Sequence, residues 1–261
     1  MDEETKKALI ESGTEIIKEA YEDAFKPPAK EIGKALGTIG KGVNVALAPV
    51  RGVVWGWEQI EEYIKTKVTE KLEKKGIKEE DIITPDPDIA VPTIEAMRYS
   101  KLKNECANLL ATSMTKSEAY NVHPSFVEIL KQLTPDEVKV LNQLPVDRSP
   151  HPFIYLKRVM PDKKGEVRLG AYFGELVKKS LVEFPGKMET YMNNLERLGI
   201  IEFGVSSYIT EPSRYDECLV DPIVKGVLAR SSEGYVFDYD KTFFRYSALG
   251  RDFVSAILDG K

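Results

Sequence analysis

Cysteine and histidine are scarce in this chain, and their scarcity restricts the chemistry that it can carry. The 261 residues include two cysteines, Cys106 and Cys218, and two histidines, His123 and His151. Two cysteines without a Cys-x-x-Cys pair cannot build a disulfide framework, so we expect both to be small buried hydrophobes in a reducing compartment. Metal-site spacing, glycine-rich phosphate loops and nucleophile elbows are also missing. The sequence therefore predicts no metal, no cofactor and no catalytic residue.

Long apolar runs and a secretory signal are missing as well. A spanning helix needs about 20 consecutive apolar residues. In the most apolar segment, residues 33–57, the longest uncharged run extends only from Gly42 to Val50. The first residues, Met1-Asp2-Glu3-Glu4, are acidic and do not resemble a signal peptide. We therefore expect a cytoplasmic protein, with peripheral contact at the inner face of the membrane as an open alternative.

Basic residues are not in excess. The formal net charge is -5, and 42% of the residues are hydrophobic, which is ordinary for a globular protein. Because phosphate contacts require clustered lysine and arginine, this balance disfavours a protein whose whole surface binds nucleic acid.

Two N-terminal segments, residues 5–25 and 58–75, have the apolar periodicity of amphipathic helices. In the second, the apolar stripe repeats every four residues: Ile60, Ile64, Val68 and Leu72. Gly76 suits the position just after a helix. Such helices could form a self-associating bundle, so a homo-oligomer stays open beside packing within one chain.

Residues 33–57 lie between these helices and are apolar and rich in glycine. They contain no acidic residue and both tryptophans of the chain. Two interpretations stay open. One is a tightly packed helical hairpin, and the other is a segment that lies on a membrane surface, with basic side chains against anionic lipid. The membrane-binding candidates are Lys34, Lys41, Leu47, Val50, Arg51, Val53, Val54, Trp55 and Trp57.

The stretch Thr84-Pro85-Asp86-Pro87-Asp88 has the composition of a linker and predicts a domain boundary. It would separate an N-terminal helical region, residues 1–84, from a central helical block, residues 85–145. Within that block we predict helices over residues 91–116 and from Pro124. A capping box with proline at the first helical position then predicts a helix from Thr134 to about Leu144.

Residues 146–261 form the predicted C-terminal domain, whose elements follow the order of a winged helix-turn-helix. We predict helices over 169–182 and 187–198, a strand over 199–204, a hairpin of 235–239 with 242–246 turning at Asp240-Lys241, and a helix over 248–258. The predicted fold is mainly α, with N-terminal amphipathic helices and a helical bundle followed by a winged-helix-like α+β module.

This order makes a DNA-binding transcriptional regulator the alternative function. The candidate recognition helix, residues 186–197, offers Lys187, Asn193, Asn194 and Arg197 as DNA contacts, and asparagine can read adenine. Its basic and acidic residues are balanced, so it can supply few phosphate contacts. Protein contact is therefore favoured over nucleic acid.

Residues 105–114, ECANLLATSM, and residues 122–141 carry a family resemblance. The most specific positions are His123, Pro124, Ser125 and Phe126, followed by Thr134, Pro135 and Asp136. With most of residues 30–258, they resemble the abortive infection alpha family, bacterial domains of unknown function associated with phage defence. No catalytic residues are established for that family, so none are carried over.

The resemblance implies a role in abortive infection, and the missing active-site motifs imply binding rather than catalysis. We predict a non-enzymatic phage-defence protein that acts on an unidentified protein partner or phage trigger. Membrane contact through residues 33–57 stays open as an addition.

Overall fold

The computed structural model describes residues 37–161, 164–204, 207–230 and 234–260. The helix predicted over residues 5–25 and the candidate Lys34 lie outside them. The chain is α+β and divides into two compact units. The described part of the first is residues 37–132 with 256–259, and that of the second is residues 133–255 with Gly260.

The first unit is helical, and three of its helices pack against a buried fourth one. Its helices are α1 (Thr38–Ala46), α2 (Ala48–Arg51), α3 (Glu61–Lys74), α4 (Pro87–Met97), α5 (Lys103–Ser113) and α6 (Ser125–Lys131). Helix α5 is buried from Cys106 to Ser113 and contacts α3, α4 and α6. The chain end completes this unit, because Asn108 Nδ2 donates to the Ile257 carbonyl at 2.9 Å. None of the described helices is long and apolar enough to cross a bilayer.

Helix α3 confirms the four-residue apolar repeat, because all four side chains of the stripe are buried. Its end is a Schellman motif: Gly76 N donates to the Glu73 carbonyl, and Ile77 N donates to the Leu72 carbonyl. Gly76 has φ +70°, a left-handed conformation that glycine adopts without steric cost. The predicted helix end is confirmed.

The Pro-Asp stretch, which we interpreted as a linker, begins a helix inside the first unit. Asp86 is the N-cap of α4, since its carboxylate accepts from Asp88 N at 2.8 Å, and Pro87 occupies the first helical position. Helices on both sides of it are in contact, because α2 packs against α4. The two compact units instead divide between Gln132 and Leu133.

The second unit is a four-stranded antiparallel sheet with helices. Its strands are β1 (His151–Val159), β2 (Glu166–Tyr172), β3 (Ile201–Phe203) and β4 (Val236–Tyr246), in the order β2-β1-β4-β3. Its helices are α7 (Pro135–Gln143), α8 (Leu176–Lys179), α9 (Met188–Arg197), α10 (Asp216–Leu219), α11 (Pro222–Leu228) and α12 (Ala248–Ile257), whose last residues belong to the first unit. The predicted helices 187–198 and 248–258 and the strand at 199–204 are confirmed.

Both faces of β1 are buried, as the alternation of side chains along a strand allows. Phe153 stacks on Phe173 at a centroid distance of 4.9 Å and also contacts Phe203 and Phe244. Ile154 and Leu156 belong to a second apolar cluster with Tyr215, Cys218 and Val224.

The helix predicted over residues 169–182 is wrong. Residues Glu166–Tyr172 form β2 and pair with β1, and only Leu176–Lys179 are helical. Leu169, the first residue of the predicted helix, is exposed on this edge strand. Gly170 has φ +157°, a conformation that no α-helix contains.

The hairpin predicted around Asp240-Lys241 is also wrong, because β4 runs through both residues without a turn. Asp240 pairs with Tyr155, and Lys241 pairs with Ile154, in continuous register with β1. A two-residue hairpin turn requires left-handed backbone, which lysine adopts at a steric cost. Lys157 of β1 also donates to the Asp240 carboxylate and holds it in the ladder.

Candidate interaction sites

The signature residues Thr134, Pro135 and Asp136 build the first turn of α7. The predicted capping box is confirmed: Glu137 N donates to Thr134 Oγ1 at 3.3 Å, and Thr134 N donates to Glu137 Oε2 at 2.6 Å. This turn fixes Asp136 in a buried position. A carboxylate there needs several donors to replace its lost hydration.

Asp136 finds two of those donors on the segment between α8 and α9, one on α9 and one on α7 itself. Its carboxylate accepts from Glu183 N at 2.9 Å, Phe184 N at 3.2 Å, the Tyr191 hydroxyl at 2.9 Å and Lys139 Nζ at 2.9 Å. Burial alone would raise the pKa of Asp136, but the bonds from Glu183, Lys139, Tyr191 and Phe184 together lower this pKa well below its usual value. The carboxylate is therefore charged, and it anchors the segment above it.

The anchored segment, residues 180–187, is here named the Leu181 loop. Leu181 has φ +50° and is, within the described ranges, the single non-glycine residue with positive φ. This conformation costs a leucine about 1–2 kcal/mol, and burial does not offset it, since Leu181 is 80% exposed. Phe184 is also exposed, and Lys187 Nζ lies 5.3 Å from the centre of its ring. Strain on an exposed apolar residue points to a contact site.

The other signature, His123 to Phe126, has a local role at the start of α6. His123 Nδ1 accepts from Ser125 N at 3.1 Å and lies 2.7 Å from Ser125 Oγ, while the Phe126 side chain is buried. His123 therefore lies at the start of α6 and contacts its first residue.

The membrane-binding candidates fall on opposite sides of their segment. Four apolar ones are buried in the first unit: Leu47, Val50, Val54 and Trp57. Val53 is half-buried, and Arg51 donates to the Asn44 amide oxygen and lies 3.8 Å from the Glu61 carboxylate. Lys41 and Trp55 are exposed. Membrane insertion of the four buried side chains would require this part of the core to open.

The recognition-helix candidates lie at the start of α9 and along it. Asn194 Nδ2 donates to Glu137 Oε1 at 2.7 Å, and Asn194 Oδ1 accepts from the Arg197 guanidinium at 2.7 Å. Asn193 is exposed, and Lys187 lies over Phe184. Asn194 is therefore already engaged within the second unit.

A cavity of about 130 Å³ in the second unit is lined by His151, Phe173, Lys179, Cys218 and Phe244, among others. The imidazole of His151 stacks on Phe244 at 5.2 Å, and burial lowers its pKa. Burial also raises the pKa of Cys218 to about 12. Both groups are uncharged near neutral pH, whereas a cysteine nucleophile requires the thiolate. Within the described ranges, no three His, Cys, Asp or Glu residues are grouped to hold a metal ion.

Sequence reasoning missed the Leu181 loop, its anchor on Asp136 and the role of Tyr191. Only the helix start at Thr134 signalled the anchor. Leucine gives no sign of a left-handed conformation, which glycine or asparagine would have signalled.

Residues 57–257 match the family model described as abortive infection alpha, a range that contains both signatures and the Leu181 loop. No curated protein matches this chain. A solved structure, that of an uncharacterized protein from the hydrocarbon-degrading marine bacterium Alcanivorax borkumensis SK2, is 20% identical, and the similarity covers 53% of this chain and 92% of that one. The TM-score is 0.32, which is too low to bear on fold or function.

Proposed function

Because the chain belongs to the abortive infection alpha family, we propose that it acts in phage defence by binding a protein partner, or a phage protein that triggers it, through the Leu181 loop. The strained and exposed Leu181 is the observation that carries this proposal. The proposed action is binding without catalysis, in the cytoplasm.

The chemistry of the loop suits a protein surface. Leu181 and Phe184 expose apolar side chains that a partner pocket can bury, and Lys187 adds a cation beside the ring. Buried aromatic anchors dominate the energy of many protein interfaces. The Asp136 anchor holds the loop before the partner arrives, so less conformational entropy is lost on binding.

Three substitutions of Leu181 separate its side chain from its backbone conformation. Leu181→Met keeps an apolar side chain, Leu181→Asn replaces it with a polar residue that tolerates left-handed backbone, and Leu181→Gly removes both side chain and strain. We expect the methionine variant to protect a bacterial host like the wild type. We expect the other two to lose protection.

The assay is the plating efficiency of a phage panel on bacteria that produce each variant at equal levels. Loss of protection in Leu181→Gly and Leu181→Asn, with folding intact by circular dichroism, would support the loop as the contact. Full protection by both would contradict it.

Membrane contact remains a second proposal for the first unit. Burial of Leu47, Val50, Val54 and Trp57 restricts this proposal to the exposed face of residues 37–57. That face includes Lys41 and Trp55, two of the original candidates.

DNA binding through α9 has less support. Asn194 is held by Glu137 and Arg197, and the predicted wing hairpin is part of the continuous strand β4. A gel shift with genomic fragments at low salt tests the winged-helix alternative, since phosphate contacts are strongest under that condition. A shift that Lys187→Gln weakens would revive it.

A further inference from the structure

The cavity in the second unit has apolar walls and a polar opening. Phe173 and Phe244 are buried beside it, and Leu144 and Leu176 add aliphatic walls. The ring planes of Phe173 and Phe244 are inclined at 67°, with centroids 6.2 Å apart, so the two rings form an aromatic corner. The exposed lining residues are all polar: Gln143, Lys179 and Glu217. Small-molecule sites combine apolar walls with a few polar groups in this way.

One buried polar atom in the wall of this cavity has no partner. His151 lines the cavity, and its Nε2 is buried without a hydrogen bond. The imidazole stacks on Phe244 at a centroid distance of 5.2 Å, which holds the ring in place. Because a buried polar atom without a partner is unfavourable, a molecule that pairs with Nε2 would supply a hydrogen bond that no protein group provides.

Water is a poor partner for this nitrogen. A water molecule in a cavity needs about two to four polar partners. Among the buried and half-buried residues that line the cavity, His151 and Cys218 carry the only side-chain nitrogen, oxygen or sulfur atoms. Cys218 Sγ lies 4.0 Å from the Pro152 carbonyl oxygen, and a thiol is a weak hydrogen-bonding group. The walls therefore suit an apolar molecule with one polar group better than they suit water.

The volume of the cavity limits the size of that molecule. The cavity has about 130 Å³, and an apolar protein cavity of about 150 Å³ binds benzene. Gly174 closes one side, because a Cβ atom there would lie 3.1 Å from Cys218 Sγ. The space therefore suits a molecule with one six-membered ring.

We infer that this cavity binds a small uncharged molecule of the phenol class, one aromatic ring with a hydroxyl group. The ring can stack on one phenylalanine of the corner and meet the other edge to face, which are the preferred arrangements of aromatic pairs. The hydroxyl both donates and accepts, so it can pair with His151 Nε2 in either tautomer of a neutral imidazole. An anion would lose its hydration against the apolar walls.

This inference goes beyond the proposed protein contact and does not depend on it. Binding of a small probe measures it, whereas protection against phage measures the Leu181 loop.

The experiment compares two probes that differ by the hydroxyl group. The full chain is titrated into para-fluorophenol and into fluorobenzene, and binding is followed by broadening of the fluorine NMR signal of each probe. We expect both probes to bind, and para-fluorophenol to bind about fivefold more tightly, because a typical net hydrogen bond contributes about that factor.

Two pairs of matched variants test the site. His151→Phe keeps a ring beside Phe244 but removes Nε2, so the two probes should bind it with similar affinity. His123→Phe, the same substitution in the first unit, should keep the preference. Leu176→Phe places a larger side chain in the wall and should weaken binding of both probes about tenfold or more. Leu169→Phe, at an exposed leucine on β2, should not.

Three results would overturn the inference. The first is the absence of broadening for both probes, which would show that the cavity takes up water alone. The second is equal affinity of the wild type for the two probes, or a preference for para-fluorophenol that His151→Phe retains. The third is unchanged binding by Leu176→Phe with its fold intact by circular dichroism, because the probes would then bind elsewhere. If Leu176→Phe does not fold, the comparison of His151→Phe with His123→Phe still decides.

Discussion

Replacing Asp136 by alanine should destabilise the second unit and release the Leu181 loop. The substitution removes the acceptor for Glu183 N, Phe184 N, the Tyr191 hydroxyl and Lys139 Nζ. These donors differ in how easily water can replace the carboxylate as their partner. That difference sets the loss in the free energy of unfolding.

The Tyr191 hydroxyl is buried, so its lost partner costs about 1–3 kcal/mol. Glu183 and Phe184 are exposed residues whose amides can recover water, and each lost bond costs about 1 kcal/mol. Lys139 is partly exposed, and its ion pair contributes less than about 1 kcal/mol. We therefore expect Asp136→Ala to reduce the free energy of unfolding by about 3–5 kcal/mol, the range for breaking a buried charged pair.

Urea denaturation followed by circular dichroism measures this change. Limited proteolysis locates it, because trypsin should cut faster at Lys178, Lys179 and Lys187 once the loop is released. Lys139→Gln is the control for simple loss of charge and should change stability little. A loss below about 1 kcal/mol for Asp136→Ala, with an unchanged tryptic pattern, would refute the anchor.

The same carboxylate makes stability depend on pH in one direction. The pKa of Asp136 is lower in the fold than its value of about 3.9 in an unfolded chain. Its contribution is therefore complete above about pH 4 and decreases as the pH falls toward the folded pKa. Asp136→Asn should lose this part of the acid dependence, and a wild-type slope below pH 4 in that variant would contradict the assignment.

Two further predictions concern glycine and cysteine. Gly76→Ala should reduce the free energy of unfolding by about 1 kcal/mol, because φ is +70° there. Gly226→Ala lies inside α11 with open space around it, and should increase the free energy of unfolding by about 0.5–1 kcal/mol. Equal effects of the two substitutions in urea denaturation would contradict the Schellman assignment. Burial raises the pKa of both Cys106 and Cys218 to about 12. Because iodoacetamide reacts with the thiolate, it should label the native chain at pH 8 about a thousandfold more slowly than the denatured chain. Similar labelling rates for the two would show that the thiols are accessible.

Elements with complete local signals could be predicted from the sequence. The capping box at Thr134 and the glycine after α3 fix helix ends through bonds between residues close in sequence. Strand β1 has no such local signal. Because β2 and β4 each pair with β1, neither pairing could be inferred without it. Two apparent local patterns, the helical periodicity that starts at Leu169 and the Asp240-Lys241 turn, were therefore assigned to the wrong structures.

The candidate sites show the same limit. The apolar composition of residues 33–57 indicated an unusual segment, but which side of it is exposed depends on how α1 and α2 pack in the first unit. The segment that contains Leu181 is bound by Asp136, a residue far away in the sequence. A signal within the loop itself was not available to find it.

The anchor, Asp136, and the proposed contact residue, Leu181, are different residues. Substitutions can therefore separate the stability of the second unit from protection against phage. Asp136→Ala should lower both, because it destabilises the unit and frees the loop. Leu181→Gly should relieve about 1–2 kcal/mol of backbone strain, part of which the greater freedom of glycine in the unfolded chain cancels. It should therefore be at least as stable as the wild type, yet lose protection. If protection followed stability alone, Leu181→Gly would protect as well as the wild type, and the loop would be a structural feature rather than a binding site.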